Sequence, residues 1–129
     1  MKVQDIALLL LSGFILWLLG TLYYAWRAFT IFETTAFRYW ISFALSPILT
    51  AAICVAILRA RHIPPAAWAS AVLLLAIPGM IGETVVLSHL PTFMPKLQAT
   101  SAGRYGAFLF AAYALVLGIA EAVTLRAKL

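Results

Sequence analysis

Four apolar runs decide what this chain can become. They cover Ile6 to about Phe29, about Tyr39 to Leu58, Ala66 to Leu90, and about Ala102 to Leu125. Each reaches the roughly 20 residues a helix needs to cross about 30 Å of hydrocarbon. Lipid offers the backbone no hydrogen-bond partner, so each run must satisfy its own N–H and C=O groups as a helix. With 65% hydrophobic and 10% charged residues in a chain of 129, there is too little polar surface to cover a water-soluble domain. The expected fold is all-α: one domain, 1–129, forming an integral membrane bundle of four transmembrane helices with the lipid bilayer as its solvent.

The breaks between runs carry turn chemistry. "RARHIPP" (Arg59–Pro65) separates the second and third, and Pro65 suits the first turn of a helix. "LPTFMPKLQATS" (Leu90–Ser101) separates the third and fourth as a loop with two prolines. "FTIFETTAFR" (Phe29–Arg38) has neither Gly nor Pro and reads as an amphipathic turn in the interface. The first run starts like a signal peptide, with Lys2 before the apolar stretch, but it continues through Leu22 without an A-x-A-type cleavage site. A signal h-region is about 7–15 residues, so this run is expected to stay as the first span.

Nine Lys and Arg give a net charge of +5, and they flank the runs. That placement suits topology signals and anionic headgroups and leaves no patch for nucleic acid. Lys2, Arg59, Arg61, Arg126 and Lys128 fall on one side, with Arg27, Arg38, Lys96 and Arg104 on the other. The excess, with "RAR" in the tightest turn, predicts cytoplasmic termini. Tyr23, Tyr24, Trp26, Tyr39, Trp40 and Tyr105 collect at the opposite helix ends, as an interfacial aromatic belt does.

Glu83 is the carboxylate inside the third run. An ionisable group at that depth is a functional hypothesis that needs a named partner. Arg104, Arg27 and Arg38 approach the same level, and Arg104, between Gly103 and Gly106, is the expected partner, with Arg27 second. A Glu83–Arg pair would fix helix register; an unpaired Glu83 would be a proton- or cation-responsive site. Pro47 and the Pro78-Gly79 pair are expected to kink or open their helices. Gly103, Ala107, Ala111, Ala114 and Gly118 form one stripe of small residues on the fourth run, expected to pack within the bundle or to form a homo-oligomer face. Gly13, Trp17, Gly20 and Tyr24 share a face of the first run, and Ala44, Pro47, Ala51 and Cys54 one of the second.

Little else carries chemistry. Cys54 has no second cysteine to pair with and reads as a small buried hydrophobe. His62 and His89 have no carboxylate or thiol at ligand spacing, so no metal site is expected. There is no G-x-S-x-G, H-E-x-x-H or Walker loop, and no catalytic or cofactor-binding residue or cofactor is predicted. Glu33 reads as a solvated charge beside Arg38, and Asp5 as a first-turn acid favoured by the helix dipole. Glu121 is expected to pair at the interface with Arg59, Arg61 or Arg126.

From Ile77 to Leu117 the chain reads "IPGMIGETVVLSHLPTFMPKLQATSAGRYGAFLFAAYALVL". Pro78-Gly79-Met80 precede Glu83, and Ala102, Gly103, Tyr105, Gly106 and Ala107 follow the turn. This stretch resembles a family of small four-helix bacterial inner-membrane proteins of unknown function, with Leu90-Pro91 where that family tends to Phe-Pro. The resemblance implies four spans in a bacterial inner membrane and no assigned activity. Two functions stay open: a non-enzymatic helix-packing module acting as a homo-oligomer or as the subunit of a membrane-protein partner, and a small transporter or permeation unit with its site at Glu83.

Overall fold

The computed structural model describes residues 2–32, 36–95 and 102–129, without the side chains of 27–32 and 102. Helices α1 (Val3–Phe32), α2 (Ala36–Ala60), α3 (Trp68–Ser88), α4 (Leu90–Phe93) and α5 (Ala102–Lys128) follow in order, with a 3-10 turn at Pro65–Ala67 leading into α3. Four helical segments, Val3–Trp26, Ala36–Ala60, Pro65–Ser88 and Gly103–Lys128, are long and apolar enough to cross a membrane. Helices α1, α2 and α5 overrun their apolar runs, because residues at the water boundary continue a helix once it has started, whereas α3 stops two residues inside its run at each end. Glu33 and Lys96 lie outside the described residues.

Helix α3 is the axis of the bundle. Over an apolar 18-residue stretch of each span, 39% of the α3 residues are buried, against 11%, 17% and 22% for α1, α2 and α5. Helix α1 runs in the same direction as α3 and makes its main contact there, while α5 packs on α3 and α2. The α1–α3 approach is close because glycines line it. A Cβ on Gly13 would collide with the Leu75 backbone, and one on Gly82 with the Trp17 ring. Without a hydrophobic force between helices in lipid, such small-residue contacts hold the pair together.

Two apolar layers stack along the bundle. Leu9, Cys54, Leu58, Trp68, Leu75 and Val116 belong to the layer at the end carrying the termini. Tyr39, Val86, Leu90, Met94, Tyr105 and Phe108 form the other. The break after α3 begins with the one-turn helix α4, which turns Leu90 and Met94 into the second layer; residues 96–101 of that break lie outside the described residues. The aromatic belt is also divided. Tyr23, Trp26 and Trp40 are exposed, whereas Tyr39 and Tyr105 are buried. Edge-on stacking explains the inward set: Tyr24 meets Tyr105 at 5.9 Å and Phe108 at 5.4 Å, and its hydroxyl shares a 2.9 Å hydrogen bond with Ser46.

Helix α2 passes through Pro47, and α3 through Pro78, without a break. Each proline removes one backbone donor, and the turns on either side keep the rest. Neither helix is opened there.

The end carrying the termini is tied by polar clips. His62 takes a positive φ of 55° at the end of α2. There the Ile63 N–H reaches the Leu58 carbonyl at 3.0 Å and the His62 N–H reaches Arg59 at 3.1 Å, the double bond of a Schellman cap. Ile63 and Leu58 then bury together. The Thr124 hydroxyl of α5 accepts the Ala69 N–H at 2.9 Å, a first-turn donor of α3, and donates at 3.1 Å to the Pro65 carbonyl, which also accepts the Trp68 N–H. Arg61 grips Asp5 at 2.6 Å. Glu121, expected to pair with Arg59, Arg61 or Arg126, is exposed and has no ion pair among the described residues.

The small-residue stripe of α5 does not pack within the bundle. Gly103, Ala107, Ala114 and Gly118 are exposed and Ala111 is half-buried. A Cβ on Gly103 or Gly118 would meet nothing within 4 Å. At about 100° per residue the stripe lies opposite Tyr105, Phe108, Val116 and Ala120, which carry the inward contacts. Bulky residues fill the wide gap between α5 and its neighbours, so the small ones are left outside.

Candidate functional site

Glu83 sits on the buried side of α3, 8% exposed. Five residues remain before the helix ends at Ser88, so it lies about 7 Å inside it. Its carboxyl is ringed by aromatic side chains from two helices. The Trp17 indole of α1 lies beside it, and the Tyr105 and Tyr113 hydroxyls of α5 are within its electrostatic reach. Glycine makes this enclosure possible. Gly79 and Gly82 stand one step of three apart on α3, and any Cβ there would strike Tyr113 and Trp17 respectively. With no side chain in the way, both aromatics close on the backbone next to Glu83.

Within this enclosure Glu83 Oε2 is buried and has no hydrogen-bond partner among the described residues. The expected arginine is not there. Arg104 is exposed, and its guanidinium carbon stands 5.5 Å from the centre of the Tyr39 ring. Among the described residues no ion pair joins Arg104 or Arg38 to Glu83; the pair that forms is Arg61–Asp5 at the other end. The reason is angular. Tyr105 takes the inward direction at the start of α5, and its neighbour Arg104 is turned about 100° away. The side chain of Arg27 lies outside the described residues. Burying an unpaired carboxylate in apolar surroundings is costly. A carboxyl in such surroundings is relieved of that cost when it carries a proton or a counter-charge.

His89 is exposed beyond the end of α3 and away from Glu83, with its ring Nδ1 3.3 Å from the Val85 carbonyl. Among the described residues no three His, Cys, Asp or Glu side chains gather where a metal could bind. Cys54 is buried in the apolar layer. Trp17 was legible as part of a helix face but not as Glu83's neighbour, and Thr21, Tyr113 and Thr124 were not singled out. Spacing could have found Trp17 and Thr21: Gly13, Trp17 and Thr21 recur every four residues on α1, as Leu75, Gly79 and Glu83 do on α3.

Fold and site together define a small polytopic helical membrane protein of unassigned activity, with the Glu83 carboxyl buried in its core. Residues 31–127 match the model of a family of unknown function, DUF5367, and the chain belongs to that family. The matched stretch holds α2 to α5 with Glu83, Tyr105 and Tyr113, and leaves out the part of α1 that carries Trp17 and Thr21. No curated protein and no solved structure matches the chain.

Proposed function

We propose that this protein is a small transport or permeation unit of the bacterial inner membrane, with both termini in the cytoplasm and Glu83 as its proton- or cation-responsive group. One observation carries the reading: a carboxyl oxygen buried between three spanning helices and left without a partner. A purely structural carboxylate would be expected to hold an arginine or several backbone donors. The test is flux. The purified protein is placed in liposomes and an imposed pH gradient is followed with an entrapped dye, with and without a cation gradient. Faster dissipation than in empty liposomes, lost in Glu83→Gln, supports the reading. Equal rates for Glu83→Gln and the native chain contradict it.

The outward stripe of α5 favours a second reading, a non-enzymatic module that associates through Gly103, Ala107, Ala114 and Gly118 as a homo-oligomer. Small residues let backbones approach closely, which is how helices associate in lipid. Mass determination in mild detergent decides it, a monomer counting against association. The partner expected under both readings is the lipid bilayer, and nucleic acid has no place in either.

A further inference from the structure

Among the described residues three buried side-chain polar atoms lack a hydrogen-bond partner: Trp17 Nε1, Thr21 Oγ1 and Glu83 Oε2. They belong to one place. Gly13 lies against Leu75, and Trp17 against Gly79. Both pairs share an offset of 62 positions between the two parallel helices, and the same offset sets Thr21 level with Glu83. Two helices that rise equally per residue keep such a register over successive turns. An indole donor, a hydroxyl and a carboxyl oxygen thus meet in the α1–α3 seam.

Their chemistry selects the occupant. Indole N–H can only donate, and a hydroxyl can donate or accept. When Glu83 is ionised, its two oxygens can accept from Trp17 and Thr21. When Glu83 is protonated, one oxygen can still accept from Trp17 while the new O–H donates to the rotated Thr21 hydroxyl. Both charge states are therefore served by the same two neighbours. A metal ion is not: it needs several lone-pair donors, and Trp17 turns an N–H towards it. An organic cation would have to part α1 from α3, because the Trp17 ring already lies on Gly82.

We infer that Trp17, Thr21 and Glu83 form one proton-binding site across the α1–α3 seam, with the proton carried on the Glu83 carboxyl and the other two side chains positioning it. This rests on reading Glu83 as a proton- or cation-responsive group and names the proton as its ligand. The titratable groups facing Glu83 are the Tyr105 and Tyr113 hydroxyls of α5. Tyr24 of α1 and Tyr39 of α2 lie in the adjoining aromatic layer, with Arg104 over Tyr39. Helix α4 brings no titratable side chain.

The test uses the full chain in lipid nanodiscs with 15N-labelled tryptophan. Its four indole N–H resonances are followed across pH at constant salt, that of Trp17 being assigned by its loss in Trp17→Phe. The Trp17 resonance should titrate, stop doing so in Glu83→Gln, shift its midpoint in Thr21→Val and recover it in Thr21→Ser. A Trp17 resonance that ignores pH overturns the inference, as does a titration that persists in Glu83→Gln. A response to sodium or potassium at fixed pH would also overturn it, while leaving Glu83 as a cation site. Proton flux lost in Glu83→Gln with a silent Trp17 separates the two claims in the same way.

Discussion

His62 holds a backbone conformation that few residues other than glycine adopt, with φ at 55°. It does so because the chain must reverse at once after α2 and bury Ile63 against Leu58. Left-handed backbone costs a residue with a Cβ on the order of 1 kcal/mol. His62→Gly should therefore raise stability by about 1 kcal/mol, read as a higher melting temperature in detergent; a lower one would show that the imidazole contributes something the cap geometry does not reveal. At this scale the sequence was informative about type and poor about direction. Glu83 was legible because an acid stands alone in an apolar run. Its neighbours were not, because which of Arg104 and Tyr105 turns inward depends on the rotation of α5, and a helix apolar on every face leaves that rotation unmarked.

Gly13 and Gly20 lie on the same face of α1, yet they meet different surroundings. A Cβ on Gly13 would overlap the Leu75 backbone, which cannot yield as a side-chain tip can, whereas one on Gly20 would find nothing within 4 Å. Gly13→Ala should part α1 from α3 and lower stability by about 1–3 kcal/mol, the usual cost of overpacking. Gly20→Ala should be neutral or slightly stabilising, since alanine is the better helix former. Equal effects of the two changes on thermal melting would contradict the close α1–α3 seam. Run lengths made the four helices legible, and the prolines and basic turn between α2 and α3 marked their separation. The α5 stripe was legible as a contact face but not as one turned outwards, because in lipid a small residue permits a contact without requiring one, and within the bundle the bulky Tyr105 and Phe108 made the contact instead. Thr124 was invisible for a related reason: its partners at Ala69 and Pro65 exist only once α5 has folded back on the start of α3.

As a whole the molecule is asymmetric along the membrane normal. Its end with the termini is clipped by the cap at His62, the Thr124 bridge and the Arg61–Asp5 pair. Its other half holds the aromatic layer and the enclosed carboxyl of Glu83. Ion pairing at exposed ends contributes little to stability, so the choice that matters is whether Glu83 is paired in the interior. A double-mutant cycle on Glu83 and Arg104 answers that directly, by thermal melting in detergent of the native chain, Glu83→Gln, Arg104→Gln and the double variant. With Glu83 unpaired, the two single effects should add to within about 0.5 kcal/mol, and Glu83→Gln alone should be mild. Strong loss in each single variant, recovered by roughly 3–5 kcal/mol in the double one, would mean a buried ion pair and would contradict a Glu83 carboxyl enclosed without an arginine.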